Sequence, residues 1–222
     1  MSNKFLFGNI ESYLYELGIR VTGHKHYYDQ FFSQANLRIN DMDNVLDAGC
    51  GGGLLAVGLL NEYVKKRNIN AIVHAFDISP SMLNLAEANI LRNMVRENIR
   101  LYRANGQDLS NVEEFGTGNK TSFHDDSFDL VMSSGMLEYV PEPEKAICEM
   151  MRVLKPERQL VLSFVNDSLL GRIASRLWKF KILPKEYLFE QFYGIKDFQK
   201  FDVDSYNFYM KSLKSIYIGQ KG

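Results

Sequence analysis

Two cysteines, Cys50 and Cys148, are too few for a disulfide framework. No apolar run reaches the roughly 18 to 20 residues of a membrane-spanning helix, and the opening "MSNKFLFGNIESYLYELG" lacks the charged-then-apolar order of a signal peptide. Neither sign of charge dominates: 26 Lys and Arg against 27 Asp and Glu leave a formal net charge of -1. That balance lacks the basic footprint of a nucleic-acid or anionic-membrane binder. Repeats and low-complexity tracts are missing as well. These absences favour a cytoplasmic protein of one domain whose partner is a small molecule, with no nucleic acid and no membrane; they leave the oligomeric state open.

What is present is an alternation. "NVLDAG" reads as a buried strand, and "LLAVGLLNEYVKKRN" as a helix with apolar positions at helical spacing and a basic end. "AIVHAFD" precedes "SPSMLNLAEANILRNMV", where Ser79 suits the N-cap and Pro80 the first helical position. The strands "IRLYRAN", "FDLVMSS" and "QLVLSFV" and the helix "PEKAICEMMRVL" continue the pattern. Such alternation predicts an α/β fold with a mostly parallel sheet and helices on both faces. Ligands of these sheets bind beyond the carboxyl ends of the strands, and Asp47, Asp77, Asn105 and Ser134 fall at such ends.

The first of those ends reads "VLDAGCGGG". A dinucleotide fingerprint needs a glycine at the sixth position of the loop, and Leu54 stands there instead. The spacing D-x-G-x-G-x-G, from Asp47 through Gly49, Gly51 and Gly53, suits a cofactor with a cationic aminoacyl end. Asp77, closing the second strand, offers an acceptor for vicinal ribose hydroxyls.

From these segments the chain resembles the class I S-adenosylmethionine-dependent methyltransferases, in their small-molecule branch. "VLDAGCGGG" is similar to the family's first motif and "AFDISPSML" to its second. "RANGQDL" resembles the segment after the third strand. "FHDDSFDLVMSSGMLEYV" with "EMMRVLKP" resembles the approach to the fourth and fifth strands. The resemblance implies a Rossmann-like, doubly wound, seven-stranded sheet with an antiparallel edge strand at the C-terminus, formed by "KSIYIGQKG". It implies one domain over 1–222: a helical cap in 1–40, a cofactor core in 41–165 and an aromatic-rich acceptor or lid segment in 166–212. It also implies S-adenosylmethionine as cofactor, leaving S-adenosylhomocysteine, and methyl transfer to a small-molecule acceptor; a non-catalytic binding module of the same fold is the alternative. The cofactor residues carried over are Asp47, Gly49, Cys50, Gly51, Gly53, Asp77, Ile78, Met82, Asn105, Gly106, Gln107 and Ser134, with Asp77 toward the ribose and Met82 beside the adenine.

The chain departs from the family pattern at three places. Asn105 replaces a usual aspartate, "SNVEEFGTGNKTS" is longer than the usual link, and "KPERQLVL" puts Glu157 and Arg158 where glycines are usual. Tyr28, Glu138 and Tyr139 are the candidates for positioning or deprotonating the acceptor. Cys50 reads as an inert thiol whose backbone serves the loop. His24 and His26 read as surface residues, His124 as solvent-facing, and no metal site is expected. The aromatic flanks, Tyr27 to Phe32 and Trp178 to Tyr209, read mainly as core, with a lid over the cofactor expected in residues 20 to 32 and led by Tyr28.

Overall fold

The computed structural model describes residues 9–184, 190, 194–203 and 208–222. Two helices, α1 (Asn9–Val21) and α2 (His24–Gln34), precede the first strand, β1 (Asn44–Ala48). Then come α3 (Leu54–Leu60), which runs on through a wider π-type turn to Lys66, β2 (Ile72–Asp77), α4 (Pro80–Arg92) and β3 (Ile99–Asn105). A hairpin of β4 (Asp108–Glu114) and β5 (Lys120–Thr121) leads to β6 (Phe128–Ser134), α5 (Pro143–Val153), β7 (Leu154–Val165) and α6 (Leu169–Trp178). The chain closes with β8 (Ile195–Phe201), α7 (Phe208–Leu213) and β9 (Lys214–Lys221).

The nine strands of the described residues form one sheet in the order β5-β4-β3-β2-β1-β6-β7-β9-β8. Strands β3, β2, β1, β6 and β7 are parallel, and the antiparallel strands stand outside them on both sides. Parallel strands covered on both faces need apolar residues at successive positions, and Val45 and Leu46 of β1 are both fully buried. They point to opposite layers. Val45 joins Tyr27, Phe31 and Phe32 of α2, Leu59 of α3 and Leu83 of α4; Leu46 joins Ala146, Ile147 and Met150 of α5. Ser79 caps α4, its Oγ accepting from the Met82 N–H, with Pro80 next in the helix.

Two expectations need correction. The sheet has nine strands rather than seven, because the long link after β3 folds back as the β4–β5 hairpin. Nor is the C-terminal antiparallel strand an edge: β9 is inserted between β7 and β8, and β8 forms that margin. At the turn lacking glycine, Glu157 takes the left-handed conformation itself, with φ +58°, and β7 continues through it.

Candidate functional site

The chain reverses its strand order at β1, with β2 on one side and β6 on the other, and the glycine loop leaves β1 at that point. Gly49, Gly51 and Gly53 all have positive φ, a backbone that residues with a Cβ adopt at a cost. A Cβ on Gly49 would lie 2.5 Å from Met136. At Gly51 a Cβ would meet nothing within 4 Å, so bare backbone faces open space there. The loop is tied to the end of β2: the Cys50 N–H donates to the Phe76 carbonyl at 2.8 Å, and the Gly51 N–H to Asp77 Oδ2 at 2.9 Å. Asp77 Oδ1 accepts from the Ser79 N–H at 2.8 Å. Burial raises the Asp77 carboxyl above its usual pKa, and these N–H groups oppose the rise.

Asp47 lies beneath the loop, 1% exposed. Its Oδ2 accepts from the Ala56 N–H in the first turn of α3 at 3.2 Å, and its Oδ1 has no partner among the described residues. Burial pushes its pKa up to about 7; the Ala56 bond works against that and the charge of Asp77 adds to it. The result is a buried acid short of one donor, next to exposed backbone.

Two cavities meet at this edge of the sheet. One, of about 50 Å³, lies over the glycine loop and is lined by Tyr28, Asp47, Gly49, Cys50, Gly51 and Ser134, together with Tyr15 and Ile19 of α1. The second, of about 230 Å³, is walled by α1 and α6 and reaches Glu138, Tyr139 and Phe180. Tyr15, Ile19, His24 and Lys214 line both.

Several sequence-derived candidates therefore converge on the loop cavity, and others do not. Gly53 is buried behind the loop, its Cα face close to Ala86 of α4. Met82 is buried and Ile78 is exposed, and neither lines the two cavities. Asn105 is exposed and turns its Oδ1 to the Gln107 N–H. Gly106 packs against Met136 and Phe76, and Gln107 donates to Glu142 Oε2 at 3.3 Å. Glu138 is 3% exposed: Oε1 accepts from the Val165 N–H at 2.9 Å, Oε2 has no partner among the described residues, and burial raises its pKa. Tyr139 is half-buried against Phe180, with burial raising its pKa. The Cys50 thiol is buried and its pKa is raised by that burial, as an inert thiol requires.

His24 is not a surface residue. It is 7% exposed, its Nδ1 shares a hydrogen bond with Thr22 Oγ1, and burial lowers its pKa to about 3, so it is neutral. His26 and His124 are exposed. Tyr27, Tyr28, Phe31 and Phe32 are core residues of α2, each 4% exposed or less. Tyr187, Phe189, Phe192, Tyr193 and Tyr206 lie outside the described residues.

Sequence reasoning missed Lys214. This residue opens β9, is 7% exposed, and donates from Nζ to Ser134 Oγ at 3.0 Å and to Tyr28 Oη at 3.2 Å. Tyr28 and Ser134 also hydrogen-bond each other. In "SLKSIYIG" nothing local marks this lysine as inward-facing, since its partners come from distant parts of the chain.

The residues fit S-adenosylmethionine: Asp47 Oδ1 lacks a donor that an ammonium supplies, and the cradle at Gly51 is one a Cβ would fill. The loop cavity is well below the ~300 Å³ of small-molecule sites, with Tyr15 and Ile19 of α1 in its wall.

Comparison with known proteins agrees. The methyltransferase-domain family matches residues 46–162, over half of the chain. The ubiquinone biosynthesis O-methyltransferase of Pasteurella multocida is 28% identical over 162 residues, covering 71% of this chain and 58% of that protein. The chain thus spans less than two thirds of the length of the curated relatives it matches. A methyltransferase from Thermotoga maritima, described as a possible histamine N-methyltransferase, superposes with TM-score 0.66 at 18% identity, over 96% of this chain and 98% of that one. Geranyl diphosphate C-methyltransferase of Streptomyces coelicolor, solved with S-adenosylhomocysteine, gives 0.63 at 12% identity, over 87% and 77%. These two likenesses concern the fold. With its glycine loop, acidic strand ends and matched core, the chain belongs to the methyltransferase-domain family, among the class I S-adenosylmethionine-dependent enzymes.

Proposed function

We propose that this protein transfers a methyl group from S-adenosylmethionine to a small-molecule acceptor in the cytoplasm. The observation that carries the reading is Asp47, a buried carboxyl with one unpartnered oxygen beneath open glycine backbone at the switch in strand order. When bound, the cofactor supplies a methyl already activated by the positive charge on its sulfur. The protein's task is then placement and exclusion of water. Asp47 holds the cationic aminoacyl end, and the second lone pairs of Asp77 receive the ribose hydroxyls. Tyr28 and Ser134 line the loop cavity and are bonded to Lys214, which lines both cavities, and through it they orient the acceptor; Glu138 lines the larger cavity, where burial favours its neutral form and its carboxyl positions the acceptor by donating a hydrogen bond. The name of the Pasteurella relative supports oxygen as the acceptor atom.

Calorimetric titration with S-adenosylhomocysteine tests the binding half. We expect saturable binding to the full chain and a loss of about 10- to 100-fold in Asp77→Ala, the scale of charge-assisted hydrogen bonds worth about 1.5 to 3 kcal/mol. Incubation with S-adenosylmethionine and a panel of small acids, phenols and amines, read by mass spectrometry, tests turnover. Binding without product across the panel would favour the non-catalytic module, and no binding at all would refute the reading.

A further inference from the structure

The larger cavity has a composition that narrows its ligand. Its walls are mostly apolar, from Ile19 of α1, Leu170, Ile173 and Leu177 of α6, and Trp178. Among the described residues its one cationic side chain is Lys214, at the wall shared with the loop cavity. An ammonium has three N–H donors, and two of them go to Tyr28 and Ser134. No carboxylate lies within ion-pair distance of Lys214 among the described residues.

The hydroxyls of Tyr28 and Ser134 hold the ammonium without an anion in contact with it among the described residues. Burial works to lower the lysine pKa, yet Tyr28, Tyr15 and Glu138 together hold it above the usual value, so the charge persists. Glu138 is the acid that faces the same cavity, and burial favours its neutral form. An anion in direct contact with this ammonium would come from whatever fills the cavity. At about 230 Å³ the space is below the usual range for drug-sized ligands and suits a molecule of single-ring size.

We propose that this cavity binds a small apolar molecule carrying an anionic oxygen, which accepts a hydrogen bond from the Lys214 ammonium beside Tyr28 and Ser134. The inference rests on the proposed function only in calling that molecule the methyl acceptor. It makes Lys214 the specificity-determining residue, since a neutral isostere would leave the ammonium unpaired.

The test uses 4-propylbenzoate and its neutral isostere 4-propylbenzamide as probes, titrated by NMR into the full chain with and without S-adenosylhomocysteine. The benzoate is expected to bind at least about tenfold more tightly than the benzamide, as a charge-assisted hydrogen bond requires. In Lys214→Met that preference should shrink to less than about twofold, with the thermal unfolding transition still cooperative as the check that the variant folds. Equal affinities in the unaltered protein, no binding of either probe, or a preference surviving in Lys214→Met would each overturn the proposal. If Lys214→Met does not fold, the wild-type comparison decides. Should S-adenosylhomocysteine fail to bind, the proposed function fails on its own, while the probe pair still reports on the lysine.

Discussion

Glu157 shows at the scale of one residue how a missing glycine is tolerated. The residue is exposed, sits in β7 and has φ +58°. Left-handed backbone costs an L-residue with a Cβ about 1 to 2 kcal/mol. Glycine would remove that strain while adding about 0.5 to 1 kcal/mol of unfolded-state entropy. Glu157→Gly should therefore stabilise the protein by about 0.5 to 1 kcal/mol, a rise of roughly 1 to 4 °C in Tm for a domain of this size. Thermal unfolding checks it, and a lowered Tm would mean that the Glu157 side chain supports the fold. The neighbouring Arg158, which pairs with Asp43 and with Asp129, should be left untouched. The sequence showed that the glycine was absent; it could not show that the turn would keep its shape regardless.

Among the elements, α1 and α2 divide the roles that the sequence assigned to one segment. The rings of "HYYDQFF" pack α2 into the core, with Phe32 against Gly58 of α3. Only Tyr28 among them reaches the loop cavity, and it does so from a fixed helix. Ahead of it in the chain, α1 sets Tyr15 and Ile19 in the walls of both cavities while Leu14, Leu17 and Val21 stay exposed. Since the loop cavity is too small for a nucleotide-like ligand as it stands, α1 should open and reclose. Hydrogen exchange is expected to show amides of residues 9–21 slowed by S-adenosylhomocysteine and those of α2 protected in both states. Unchanged exchange in α1 would rule out the lid. The parallel core and its loop were legible in the sequence because their pattern is local: apolar runs, glycine spacing, a cap at Ser79. The β4–β5 hairpin was not, because "DLSNVEE" buries only Leu109 and Val112 and so reads as a polar link.

For the molecule as a whole, the buried charge of Asp47 couples stability to pH and to ligand. Its folded pKa of about 7 exceeds the usual aspartate value of 3.8, so the folded state holds the proton more tightly. That contribution is complete below about pH 4 and is lost as pH rises through about 7. A ligand ammonium pairing with the ionised form reverses the loss, so ligand stabilisation should grow over the same window. At 100 times Kd, a ligand adds about 2.7 kcal/mol, or roughly 5 to 11 °C in Tm for a domain of this size. Melts with S-adenosylhomocysteine should therefore show a larger shift at pH 8 than at pH 5.5. A shift independent of pH would remove Asp47 from the aminoacyl contact. Tyr28, Ser134 and Lys214 form one hydrogen-bonded group drawn from the early, middle and late chain, which is why the sequence yielded the cofactor side of the site more readily than the acceptor side.

The placement of β9 between β7 and β8 has a consequence for synthesis. A ribosome making ~5–20 residues per second releases β7 and β8 before the strand that belongs between them. For some seconds β7 presents a bare row of N–H and C=O groups, which invites pairing with β8 or with another nascent chain. Only the arrival of β9 ends that competition, and the same strand delivers Lys214 to Tyr28 and Ser134. A chain whose sheet closed wrongly would keep its glycine loop and still lack the cation beside it, so misassembly would be read as a loss of acceptor binding before any loss of cofactor binding.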